Sequence, residues 1–261
     1  MPKAERAASA AAPPEIQPDV LLEGTRLLRA ADEQSLPLRL IGGVAVRVRA
    51  RGRMHRAFER TYGDLDFVTG RKASGAAQRF FRQAGYEPQV TFNALNSKER
   101  LLFMDEANDR QVDVFVGSFS MSHTIPLQGR IEVDAETVPL AELLLMKLQV
   151  HELNEKDVRD ALAILHVHPV GESDGDSVNG ARVAGLCASD WGLWRTITAN
   201  LDTCMAHMDR YELDAVDGEE LRGRLGALRE RIDAEEKSRA WRLRAKIGER
   251  KRWYETPEEK G

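Results

Sequence analysis

Two aspartates separated by one residue, Asp64 and Asp66, stand in the stretch Gly63-Asp64-Leu65-Asp66-Phe67-Val68. On an extended strand, residues two apart face the same way, with Cα atoms roughly 6–7 Å apart. Two such carboxylates can converge on one divalent cation or on a pair. Leu65, Phe67 and Val68 supply the apolar contacts of a core strand. Two acids on one face of such a strand bear a large desolvation and repulsion cost unless a cation offsets it. A third acid, Asp113, interrupts the apolar run Gln111-Val112-Asp113-Val114-Phe115-Val116 in the same manner. Upstream, Gly42-Gly43 ends one apolar segment and opens a helical one, a turn in which backbone amides and a helix N-terminus can approach phosphate. Magnesium prefers carboxylates, phosphate oxygens and water.

The elements that must position these residues can be read from periodicity. Residues 18–31 have a helical pattern through Val20, Leu21, Leu27 and Leu28, and Leu36 to Ile41 reads as a short strand. A helix over Val44 to about Ala57 carries Arg47, Arg49, Arg51, Arg53 and Arg56. After the Asp64 strand, Ala73 to Gly85 reads as an amphipathic helix. Gln89 to Asn93, Arg100 to Met104 and Gln111 to Val116 read as strands, with Asn108-Asp109 as a turn signal. Arg130 to Val138 is a weaker strand. Pro139 can start a helix from Leu140 to about Glu152. Asn154 can cap another through about His166, with Asp157 three residues on. Gly171 to Gly180 is polar and rich in Gly, Ser and Asp, and is the expected linker. Beyond it, Ser189 to about Tyr211 and Gly218 to about Tyr254 read as two helices, the second long and charged.

The bulk properties bound the answer. The 261 residues suffice for one large domain or two modest ones, and 42% apolar with 31% charged residues describes a globular chain. A net charge of −4 argues against a wholesale nucleic-acid coat and leaves room for local basic patches. Cys187 and Cys204 form neither a disulfide framework nor a metal-binding spacing, so a cytoplasmic location is the expectation. No apolar run approaches the length of a membrane span. Residues 1–17, rich in Ala, Pro and charge, lack the apolar centre of a signal peptide and read as a disordered leader. The organisation expected is residues 18–170 as the chemical domain, 171–180 as linker and 181–261 as a helical region.

The order of these motifs (a strand ending in Gly-Gly, Asp-Leu-Asp on a strand, a lone Asp on a later strand) resembles the nucleotidyltransferase superfamily that shares its core with DNA polymerase beta. Thr137 to Gln149, with Lys147-Leu148, and Lys156-Asp157-Val158-Arg159-Asp160-Ala161-Leu162 are similar to segments of the AbiEii/AbiGii toxin family. The likeness covers Leu38 to Leu165. It implies an α+β fold, a mixed sheet flanked by helices and followed by a helical C-terminal region. It also implies Mg2+ or Mn2+ held by Asp64, Asp66 and Asp113, with Asp113 completing a second metal site. A nucleoside triphosphate would lie against Gly42, Gly43, Lys147 and Lys156, with Lys147 and Asp160 serving the transfer. The implied acceptor is an RNA end, tRNA in toxin-type relatives, and a cognate antitoxin is an implied partner. Relatives often carry Ser or Thr after the Gly pair; Val44 here removes that hydroxyl.

Other readings use the same residues. Related folds adenylylate hydroxyls of antibiotics with the same donor-side groups. A non-catalytic module would keep the acids as relics and use the basic clusters, Arg47 to Arg60 and Arg242 to Arg252, for RNA or a protein. Trp241, Trp253 and Tyr254 lie near the second cluster and can stack on bases. Both clusters can equally be solvated helix faces. Lys147 can reach solvent, Asp157 can serve only its helix start, and His151, His166 and His168 are expected to be ordinary helix residues.

Overall fold

The computed structural model describes residues 15–256. Residues 1–14 of the expected leader lie outside the described residues. Its last part is tied to the body. Ile16 packs on the core, the Gln17 amide donates to Glu23 Oε2 (3.0 Å), and the Gln17 carbonyl accepts from Arg110.

Helix α1 (Val20–Glu33) starts at Asp19, whose carboxylate accepts from the Leu21 and Leu22 amides. Strand β1 (Leu38–Ile41) runs directly into α2 (Gly42–Ala50), so the helix opens at the glycines and not at Val44. It also stops well short of Ala57, because Arg51 and Gly52 both take positive φ. There follow β2 (Leu65–Thr69), α3 (Ser74–Gln83), β3 (Glu87–Pro88), α4 (Val90–Asn96), β4 (Arg100–Asp105) and β5 (Arg110–Val116). The sheet order is β1-β2-β5-β4-β3, with β2 and β5 parallel and the other neighbours antiparallel. One face carries Leu65, Phe67, Val112, Val114, Leu101 and Phe103, all fully buried. Gly24 of α1 lets that helix settle on Leu40 and Leu65, and Phe81 of α3 packs on Phe67 and Phe103.

Two expected strands are corrected. Of the expected strand 89–93, residues 90–93 join α4 instead and Gln89 precedes it, because the Asn93 side chain takes the place of a strand neighbour. It accepts from the Leu102 amide (2.7 Å) and donates to the Leu102 carbonyl (3.0 Å). Residues 130–138 form turns. The Asp134 carboxylate accepts from the Glu136 and Thr137 amides, leaving only a single bridge between Thr137 and Leu40. An unexpected hairpin, β6 (Ser118–Ser120) with β7 (Thr124–Pro126), follows the main sheet.

Helix α5 (Leu140–Leu148) is apolar nearly all round and lies at the centre of the molecule, as such a helix must. Helix α6 (Glu155–Val167) is capped by Asn154, as expected from the sequence. Residues 171–180, the expected linker, contain a short parallel pair, β8 (Val170–Gly171) with β9 (Val178–Asn179). The segment is bound to the chain before it. Asp174 pairs with Arg130, which with Arg182 also holds the fully buried Glu142 of α5. The helical region comprises α7 (Gly180–Ser189), α8 (Trp191–His207), α9 (Ala215–Ala234) and α10 (Arg239–Ile247). The long final helix is therefore broken: Lys237 Nζ donates to the carbonyls of Ile232, Asp233 and Glu235, and Ser238 caps α10. One hydrophobic cluster runs from Leu27 to Ile232 across both parts. Among the described residues, no helix is long and apolar enough to cross a membrane.

Acid stability follows from this packing. The Glu23 carboxylate is fully buried, yet hydrogen bonds from Arg26, Tyr86 and the Gln17 amide outweigh burial and hold its carboxyl below the ordinary value. A depressed folded pKa contributes stability that is complete above the unfolded value and is lost as pH falls through the folded one. Urea midpoints are expected to fall steeply below about pH 4. The Glu23→Gln variant is expected to be less stable at neutral pH, with a shallower acid limb.

Candidate active site

The register sets Asp66 on β2 opposite Asp113 on β5. Adjacent strands lie about 4.8 Å apart, so the two side chains stand together on the face opposite the aromatic core. Asp64 is exposed and immediately precedes the strand. The Asp66 carboxylate accepts no hydrogen bond and forms no ion pair among the described residues. Burial, and then the negative charge of Asp113, push its carboxyl up to about 7; Asp64 adds to the rise, while Lys147 and Arg100 oppose it. Asp113 is engaged: Arg100 Nε donates to one oxygen (2.6 Å) and Gln111 Nε2 to the other (2.7 Å). Each oxygen still keeps a free lone pair. Among the described residues, no three His, Cys, Asp or Glu side chains converge as a ready-made cation site.

The glycine turn touches this pair. Gly42 has φ +68°, and a Cβ there would collide with the Asp66 carboxylate. A Cβ on Gly43 would collide with the Arg60 guanidinium and crowd the Tyr62 ring. Ile41 gives α2 no side-chain cap, so its first-turn amides are left to solvent or a ligand. Gly42→Ala is expected to cost about 1–2 kcal/mol from the left-handed backbone alone, with the collision added. Chemical denaturation reads the loss.

Beside the turn lies a chain of buried ions. Lys147 Nζ is 3.1 Å from Asp157 Oδ1 and 2.8 Å from Asp160 Oδ2. Arg60 meets Asp160 through two bonds, Nε to Oδ1 (2.9 Å) and Nη2 to Oδ2 (2.7 Å), and lies 4.4 Å from the Tyr62 ring centre. Burial favours the neutral forms of Lys147 and Asp160. The paired charges outweigh it, raising the Lys147 ammonium and lowering the Asp160 carboxyl. Asp157 does two things at once, completing the helix start with Asn154 and holding Lys147.

Of the residues singled out in the sequence, Asp66, Asp113, Gly42, Gly43, Lys147 and Asp160 thus fall into one neighbourhood. Asp64 enters it only through its field on Asp66. Lys156 is exposed and joins none of these contacts among the described residues. Arg60, Arg100 and Gln111 were missed as site residues. Gln111 could have been found, since it shares the strand face of Asp113 two residues away. Arg100 requires the β4–β5 register, and Arg60 was hidden in its arginine cluster. No protein-family profile, curated protein or solved structure matches the chain.

Proposed function

We propose that the chain is a metal-dependent nucleotidyltransferase that moves a nucleoside monophosphate from a triphosphate to an acceptor hydroxyl, with an RNA end as acceptor. One observation carries the reading: a carboxylate without a hydrogen-bond or ion-pair partner, Asp66, stands beside Asp113 and against a glycine turn whose amides no side chain caps. The donor set suits a hard divalent cation, with Asp66 and Asp64 to hold it and free lone pairs on Asp113. Such an ion, when bound, supplies charge to neutralise the triphosphate. The chain's own residues do the rest. Gly42 and Gly43 keep space for phosphate, and the α2 amides offer donors to it. Lys147, held on Asp157 and Asp160, stores a positive charge for the departing pyrophosphate oxygens. Arg100 and Gln111 fix the orientation of Asp113.

The test is incubation with labelled nucleoside triphosphates, magnesium and total RNA. Label transfer that is lost in Asp64→Ala supports the reading. No transfer by the wild type, or equal transfer by that variant, defeats it.

A further inference from the structure

The strongest charge asymmetry lies far along the chain from the acids. Between residues 237 and 252 there are eight lysines and arginines against one glutamate, in a protein whose net charge is −4. On α10, Arg239, Arg242 and Lys246 recur every three or four residues and are exposed, so they share one face; Arg250, also exposed, follows the helix end at Gly248. Arg239, Lys246, Arg250 and Lys251 form no ion pair among the described residues, and Arg242 only a long one, 3.8 Å to the exposed Glu236. The cations of the neighbouring α9 contrast with this, since Arg222, Arg224, Arg229 and Arg231 all pair with acids. Helix stability does not account for the face. Arg239 and Arg242 sit in the first turn, where the helix dipole repels positive charge, and no acid accompanies them there.

The face is also held in place. Trp241 turns inward onto Trp194, and the Arg244 guanidinium lies 4.5 Å from the Trp191 ring centre. Arg244 also donates to the carbonyls of Gly248 and Lys251, which folds residues 250–252 back beside the end of the helix. Exposed Leu243 and Ile247 lie among the cations. Next to them Arg252, Tyr254 and His151 form a stack, with the last two rings 3.5 Å apart at 13°. His151 lies on the loop between α5 and α6, four residues beyond Lys147, so the stack joins the basic face to the loop connecting the two helices that carry Lys147, Asp157 and Asp160.

We propose that the outer face of α10, continued through residues 250–252, is a docking surface for the phosphate backbone of single-stranded RNA. Cations at helical spacing without close counter-ions match a regular polyanion, and the exposed Leu243 and Ile247 beside them match ribose and base surfaces. A lipid surface is the poorer fit: only two apolar side chains face outward, and the tryptophans that would anchor in a membrane are turned into the protein. The inference deepens the acceptor reading above, and binding measured without triphosphate or divalent cation separates the failure of one from the failure of the other.

The test is fluorescence anisotropy of a labelled single-stranded RNA of mixed sequence with the full chain, between about 50 and 200 mM salt. Wild type is expected to bind with a steep salt dependence. Arg242→Glu/Lys246→Glu/Arg250→Glu is expected to weaken binding more than tenfold and to flatten the salt slope by about 2, near 0.7 for each lost contact. Arg51→Glu/Arg56→Glu, in the other basic cluster, is expected to bind as wild type does. Circular dichroism checks folding, and the milder Arg239→Gln/Lys246→Gln pair replaces the triple variant if that variant is unfolded. The proposal is overturned by no RNA binding at the low salt, or by equal affinity of wild type and the α10 variants. It is also overturned by an equal loss in the control pair, or by phosphatidylserine vesicles or polyglutamate binding as tightly as RNA with the same sensitivity.

Discussion

Asp66→Asn is expected to cut nucleotide incorporation steeply while making the cation-free protein more stable. The two effects share one cause. Asp66 is a part-buried carboxylate without a hydrogen-bond partner, and the charge of Asp113 lies beside it in register. Ionising it in the folded state costs free energy that a bound cation would offset. Below about pH 4 the group is protonated folded or unfolded and contributes nothing. Between there and the folded value of about 7, the folded chain holds a proton the unfolded chain has released, so stability declines as pH rises. Above that value the full cost applies, on the order of 2–4 kcal/mol. Asparagine removes it. At pH 8, without divalent cations, the variant is expected to melt higher than wild type. Added magnesium is expected to raise the wild-type Tm and leave the variant unmoved. Incorporation of label is expected to drop by a factor on the order of 100–1,000. A variant that incorporates label at the wild-type rate, or gains as much stability from magnesium, would show that Asp66 is not a cation ligand.

The other large effect is structural. Asp160→Ala is expected to cost about 3–5 kcal/mol, because it leaves Arg60 without its carboxylate and Lys147 with Asp157 alone. The size comes from the stranded charges and not from the pair's net worth. Arg60→Met/Asp160→Leu is therefore expected to be closer to wild type than Asp160→Ala alone. Urea denaturation of the wild type, each single variant and the double variant completes the cycle. Additive losses would mean that Arg60 and Asp160 do not act as a unit. Because Asp160 titrates below its ordinary value, its contribution is present above about pH 4 and disappears in acid, where wild type and Asp160→Ala should converge.

Much of this site could be read from spacing. Asp66 and Asp113 each break an apolar run that only a buried strand explains, and Asn154 announced its helix through residues close in sequence. In several places where expectation failed, a side chain had substituted for backbone. Asn93 bonds both polar groups of Leu102, and Asp134 satisfies two amides of its own turn, so neither stretch needed a strand partner. Lys237 did the same to the last helix by taking the carbonyls at the end of α9. Local patterns do not register such competition, since alternation and periodicity describe apolar faces and ignore which polar group answers which. Arg60 was missed for a related reason: its partner, Asp160, is a hundred residues away.

The segment 171–180 has a consequence for how an acceptor could be chosen. Asp174 and Arg130 fasten it to Glu142 in the central helix, and the apolar core continues past it without a break. A segment fastened in this way is tied to the central helix, and through the shared core the helical region that carries α10 packs on the same body as β2 and β5. With a strand gripped at one end and chemistry at the other, the molecule would behave as a caliper. If the proposed docking and the proposed transfer both hold, an acceptor would be selected by the length and shape of what lies between its gripped phosphates and its terminal hydroxyl.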